Sequence, residues 1–141
     1  MAPVISDADL RDILQTTKVI GCVGASLDPS RPSYGVVDYM VRHGYKIIGV
    51  NPNLAGQDLF GTPIVSSIAD LPDDVDMLDV FRRSEAVPPI VAEAIDALPN
   101  LRTVWLQLGV MHADAEAKAQ AAGLRYVANR CPKIDHARLM A

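Results

Sequence analysis

Short apolar runs alternate along this chain with longer stretches in which apolar residues recur every three or four positions. The runs are Lys18–Val23, Tyr45–Val50, Val75–Phe81, Thr103–Gln107 and Leu124–Asn129. They read as apolar along their length rather than alternating, which predicts strands covered on both faces. The stretches between them predict helices. Val36, Val37, Met40 and Val41 form a stripe over Ser33–His43, and Gly44 suits its end. Ile90, Val91, Ala94, Ile95 and Leu98 form another, opened by Ser84–Pro89, whose prolines fit only a first turn. An alanine-rich helix is predicted over Ala113–Ala122, stopped by Gly123. Ser6-Asp7-Ala8-Asp9 resembles a capping box and predicts an N-terminal helix at about 6–16, with Leu10, Ile13 and Leu14 on one face. A short extended piece at Ile64-Val65, a helical turn at Ser67–Asp70 and a final short helix over His136–Met140 complete the reading.

Strands alternating with helices define an α/β class with a parallel sheet, and right-handed crossovers make it doubly wound. The expectation is a Rossmann-like sheet of strand order 3-2-1-4-5. It fills one domain, 1–141, with no linker, repeat or low-complexity segment.

Composition narrows the classes. A net charge of -4 argues against general nucleic-acid binding. No apolar run approaches the about 18–20 residues of a membrane span, and the N-terminus lacks the pattern of a signal peptide. Two cysteines, Cys22 and Cys131, do not form a disulfide framework. A cytoplasmic location is expected. No metal-ligand spacing and no Walker-type phosphate loop occur.

In a doubly wound sheet, ligands bind outside the carboxyl ends of the strands. Those ends carry Gly24, Ala25 and Ser26; Asn51 and Pro52; Phe81, Arg82 and Arg83; Gln107, Leu108 and Gly109; and Asn129, Arg130 and Cys131. Arg31, Arg82, Arg83, Arg130 and Lys133 fall in or beside these segments. Together they would put a cationic rim on an acidic protein, suited to a ligand with several phosphates. Each feature also has a plainer explanation. Gly21-Cys22-Val23-Gly24 is equally well explained by the sterics of a tight turn. A single arginine is ordinarily solvated, Asn51-Pro52 suits a plain turn, and Phe81 suits a core. The full Gly-x-Gly-x-x-Gly fingerprint is absent, and Asn51 stands where a dinucleotide site wants an acid for the ribose. This disfavours NAD and favours a ligand with extra phosphate.

VGAS, RPSYGV, GYKIIGVNPN, DVFRRSE, WLQLGV and NRCPKIDH, in this order, resemble the small CoA-binding proteins. These are single Rossmann-like domains similar to the CoA-binding domain of the succinyl-CoA synthetase alpha subunit. The resemblance covers about Lys18 to Arg138. It implies CoA, or an acyl-CoA, along the carboxyl edge of the sheet. By position it implies that Gly24, Ala25 and Ser26 hold the pyrophosphate through backbone N–H groups and the Ser26 hydroxyl. Arg31 would approach a phosphate beside Ser33 and Tyr34. Asn51 and Pro52 would border the adenosine. Phe81 and Arg82 would wall the groove, with Arg82 or Arg83 on the 3′-phosphate. Gln107 and Gly109 would line the pantetheine path, and Cys131 would lie near its thiol end.

No catalytic constellation stands out. His43, His112 and His136 read as capping, solvated or structural residues. Cys22 reads as buried and inert. Arg130 and Lys133 would lower the Cys131 pKa and allow a mixed disulfide with CoA; the competing reading is a cysteine packed in the last loop. The leading expectation is a CoA binder without its own catalysis. The alternatives are an NAD(P)-dependent or acyl-CoA-processing enzyme, or a nucleotide-binding subunit of a larger complex. A protein partner and a homo-oligomer both stay open.

Overall fold

In chain order the strands are β1 (Val19–Val23), β2 (Lys46–Val50), β3 (Asp58–Leu59), β4 (Thr62–Pro63), β5 (Met77–Val80), β6 (Thr103–Leu106) and β7 (Arg125–Val127). The helices are α1 (Asp7–Thr16), α2 (Pro32–Arg42), α3 (Val87–Ala97), α4 (Ala113–Ala121) and α5 (Pro132–Leu139). The structure is a computed structural model that describes residues 5–140.

The α/β class holds: five strands form a parallel sheet flanked by helices on both faces. Their order is β2-β1-β5-β6-β7. The expected 3-2-1-4-5 is corrected at one place. The third principal strand, β5, lies on the inner side of β1, not outside β2. The reason is burial. Met77, Leu78 and Val80 are fully buried, and β5 is paired along both edges, the central position such a strand requires. Among the described residues, the slot outside β2 receives only an isolated parallel bridge between Val50 and Val65. That bridge is the short extended piece read at Ile64-Val65. The turn-rich segment before it folds as the small β3–β4 hairpin, which the sequence pattern did not disclose.

Alternating residues of the strands feed two cores. On one face Ile20, Cys22, Met77, Trp105 and Val127 pack under Leu10, Ile13 and Leu14 of α1 and Val36, Val37 and Met40 of α2. On the other, Val23, Leu78, Val80, Val104 and Leu106 pack under Val87, Val91 and Ala94 of α3 and Ala115 and Ala119 of α4. Burial of each large aliphatic side chain stabilises the fold by about 1.5–3 kcal/mol. Where β1 meets β5, a Cβ on Gly21 would lie 2.8 Å from Leu71 Cδ1 and 2.9 Å from Leu78 Cδ2, so a larger residue there would make these side-chain ends shift.

The helix ends follow local chemistry. Ser6 caps α1, its hydroxyl accepting from the Asp9 N–H at 3.1 Å. Prolines occupy the first turns of α2, α3 and α5, where no N–H is needed. The last helix starts earlier than the predicted His136: Pro132 opens it and Cys131 is its N-cap residue.

The crossover from β1 to β2 runs through α2 on one face, and that from β5 to β6 through α3 on the other. The chain therefore changes sides between β1 and β5. A crevice opens at such a switch point, outside the carboxyl ends of the strands.

Candidate functional site

That crevice is a groove of about 840 Å³. It is lined from β1 and its turn by Gly24, Ala25 and Ser26, and from the head of α2 by Arg31, Pro32, Ser33 and Val36. Asn51 joins from the end of β2, Phe81, Arg82 and Arg83 from the end of β5, Gln107, Leu108 and Val110 from the end of β6, and Cys131 from the head of α5. Its size is that of a cofactor site.

The glycine turn is forced by packing. Gly24 has φ +86°, and a Cβ there would lie 2.6 Å from the Phe81 carbonyl oxygen. Only glycine permits both the left-handed backbone and the close approach of the β5 end. The N–H groups of Gly24 and Ala25 donate to the Val50 carbonyl at 3.1 and 3.4 Å. They are engaged within the sheet, which changes the expectation that they reach outward to a pyrophosphate. Asn51 braces the same turn: its Nδ2 donates to the Ala25 carbonyl at 2.9 Å, and its Oδ1 accepts from the Asn53 N–H at 2.9 Å. Ser26 accepts from the Asp28 N–H at 3.0 Å, which leaves its hydroxyl proton available as a donor. Arg31, Pro32 and Ser33 put the start of α2 at the groove wall, and no side chain caps it, so its positive dipole end is open there.

The arginines divide. Arg31, Arg82 and Arg83 are exposed and line the groove. Arg83 pairs with Glu85 at 3.5 Å, whereas Arg82 has no acidic partner among the described residues. Arg130 and Lys133, expected on the same rim, do not line it. Arg130 instead grips Asp135 through two hydrogen bonds of 2.7 and 2.9 Å. The Lys133 ammonium sits 5.9 Å from the centre of the Tyr39 ring.

This rearrangement reverses the expectation for Cys131. Its thiol is pushed up from the usual range, chiefly by burial and further by the charges of Asp79 and Asp135, against backbone hydrogen bonds at the head of α5. The guanidinium of Arg130, its neighbour in sequence, is spent on Asp135. Cys22 is fully buried in β1, as expected, and burial raises its thiol well above the ordinary value.

Three further expected residues lie elsewhere. Tyr34 turns away to pack on Phe60 of the hairpin, ring centres 4.9 Å apart. Pro52 is exposed outside the groove. Gly109, at φ +82°, shapes the loop after β6 and donates to Asn129 Oδ1 at 2.7 Å, while its neighbours Leu108 and Val110 supply the lining. The histidines hold structural places. His112 caps α4 by accepting from the Ala115 N–H at 3.2 Å. His43 Nδ1 lies 2.7 Å from the Tyr39 carbonyl, and His136 Nδ1 lies 2.9 Å from the Tyr39 hydroxyl.

The lining residues Pro32, Val36 and Val110 were missed, and so was a buried acid behind the groove. Asp79 lies in the middle of β5, only 2% exposed, and accepts from Gln107 Nε2 at 2.8 Å. Burial raises its carboxyl to about 7, against the opposing effect of the Gln107 hydrogen bond. The signal was present: a charged residue inside a strand buried on both faces departs from the pattern that defines the strand. Among the described residues no group of three or more His, Cys, Asp and Glu side chains is arranged to hold a metal ion. No described helix is long and apolar enough to cross a membrane.

A cationic rim above partly apolar walls at a switch point defines a doubly wound binding domain. The chain matches the family model for the CoA binding domain over residues 18–137, and it belongs to that family. It is 33% identical over 132 residues to the uncharacterized protein YneT of Bacillus subtilis, covering 94% of this chain and 95% of that protein. It is similar to the structure of cell-free ID.343 from Thermus thermophilus, at 39% identity and a TM-score of 0.90 over 96% of this chain and 100% of the other. An 87-residue segment, 60% of this chain, is 33% identical to part of the ADP-forming acetate–CoA ligase II of Archaeoglobus fulgidus, of which it spans 12%.

Proposed function

We propose that this protein binds CoA, or an acyl-CoA, in the switch-point groove and does so without catalysis of its own. The observation that carries the reading is that exposed Arg31, at the uncapped start of α2, and exposed Arg82, after β5, line one groove whose walls are partly apolar. Phosphates suit the mouth, where guanidinium groups and a helix N-terminus favour negative charge. The neutral pantetheine arm suits the uncharged lining residues Val36, Val110 and Gln107. Family membership supports the choice of CoA over other phosphorylated ligands. Asn51 argues against a dinucleotide, because its amide is used to brace the glycine turn and offers no carboxylate for a ribose. The lack of a catalytic role rests on the placement of the candidates: the histidines cap or brace helices, and the Cys131 thiol is held protonated.

Isothermal titration with CoA, 3′-dephospho-CoA and NAD tests this reading. One CoA per chain, weaker 3′-dephospho-CoA and no NAD supports it. NAD binding without CoA binding overturns it. A second reading, a nucleotide-binding subunit of a larger assembly, draws on the similarity to a segment of a much longer ligase. Steady turnover of an acyl-CoA by the isolated chain would favour the enzyme alternative over both.

A further inference from the structure

Asp79 and Gln107 form a buried polar pair, of which Gln107 lines the groove and Asp79 does not. Both are nearly inaccessible, at 2% and 7% exposure, and Gln107 is also a lining residue. Asp79 stands opposite Cys22 of β1 and Trp105 of β6 in the sheet register. Its side chain therefore shares the face that carries α2 and the head of α5. No guanidinium or ammonium pairs with it among the described residues; its partner is the Gln107 amide at 2.8 Å.

The chemistry of that hydrogen bond has two states. An ionised carboxylate only accepts, so Gln107 must give it one N–H, which leaves the amide's carbonyl oxygen, its one acceptor, and its second N–H for other partners. A protonated carboxyl can donate, so the amide can turn over, accept from Asp79 and free its NH₂ group. We infer that the Asp79–Gln107 pair is a proton-linked selector, presenting the groove with an acceptor in one state and a donor in the other, and so distinguishing free CoA from an acyl-CoA. The inference rests on the CoA reading above. A free thiol is a donor and matches the Gln107 carbonyl; the pantetheine amides are common to both ligands. A thioester carbonyl is an acceptor and matches the Gln107 NH₂.

The groups facing the pair are consistent with a switch centred on Asp79. Cys22 from β1 and Cys131 from the head of α5 both feel its charge, and burial holds both thiols protonated. Asp135, behind Cys131, is neutralised by Arg130. Arg31, Arg82 and Arg83 stand at the exposed mouth. Desolvation brings the Asp79 carboxyl to about 7, so both states are populated near neutrality.

The test is the ratio of acetyl-CoA to CoA affinity between about pH 6 and about pH 8 on the wild-type protein. Taking the ratio cancels the titration of the phosphates, which the two ligands share. The ratio should fall about three- to tenfold as pH rises, the size of one exchanged hydrogen bond. Asp79→Asn, which cannot ionise, should flatten it. Gln107→Leu provides the same test without touching the carboxyl, should Asp79→Asn fail to fold. A flat wild-type ratio with both ligands bound overturns the selector alone. A wild-type slope that survives in either variant overturns it as well. Failure of both ligands to bind at any pH overturns the CoA reading, and the selector with it.

Discussion

A Cβ placed on Gly24 would lie 2.6 Å from the carbonyl oxygen of Phe81, a contact no side chain can make. The end of β1 and the end of β5 approach that closely because the two strands pair, the Phe81 N–H donating to the Val23 carbonyl at 2.8 Å. The groove opens at this point because the chain changes faces between them.

Gly24→Ala should therefore act on both stability and binding. It combines a left-handed backbone at φ +86° with a backbone clash, and strain of this kind costs about 1–3 kcal/mol. Urea unfolding should show the loss, and CoA affinity should fall because the turn must shift. Wild-type stability in this variant would contradict the packing described.

The pairing of Arg130 with Asp135 yields a different expectation. Asp135 is only 3% exposed and accepts from both Arg130 and Arg138. Asp135→Ala should destabilise by about 2 kcal/mol, since charged hydrogen bonds are lost and Arg130 is left without its partner. CoA affinity at fixed temperature should change little, because neither residue lines the groove. A binding loss without a stability loss would return Arg130 to the rim.

Arg82 and Arg83, adjacent in sequence, should behave unequally. Arg82→Ala should weaken CoA by about 1.5–3 kcal/mol if its guanidinium meets the 3′-phosphate. Arg83→Ala should cost less, because Arg83 already pairs with Glu85. Measured with 3′-dephospho-CoA, the Arg82 effect should shrink; an undiminished effect assigns Arg82 to another phosphate.

Stability should depend on pH through Asp79. Its folded carboxyl is raised from 3.8 to about 7. The folded state thus binds this proton more tightly than the unfolded one. The contribution is full below the unfolded value and is lost as pH rises through the folded one. Between about pH 4 and about pH 7 the wild-type protein should lose stability relative to Asp79→Asn. Parallel unfolding curves for the two proteins across that window would contradict the assignment.

Much of this architecture was legible because parallel strands covered on both faces have an unambiguous composition. The helix over Asp7–Thr16 was readable from Ser6 and the spacing of Leu10, Ile13 and Leu14. Strand order was not, since composition does not say on which edge β5 will pair. Most of the expected groove residues do line it, because their positions follow from strand ends alone. Tyr34, Arg130 and Lys133 departed from expectation because long side chains choose among partners that only the fold brings near: Phe60, Asp135 and Tyr39. Asp79 was hidden by the apolar residues around it. Its partner Gln107 lies 28 residues away.

Cys131 offers a simple check on the chemistry of the groove. Its raised thiol pKa and burial predict slow alkylation by iodoacetamide at neutral pH, and the protein should stay reduced under mild oxidation in the presence of CoA. Rapid modification, or a CoA adduct lost only on reduction, would show a thiolate that this arrangement does not provide.

The most direct measurement is native mass spectrometry of the protein titrated with CoA and, separately, with NAD. The account predicts one CoA per chain, held noncovalently, and no NAD adduct. An NAD adduct without a CoA adduct would contradict it and make a nicotinamide-dependent enzyme the leading reading of the same groove.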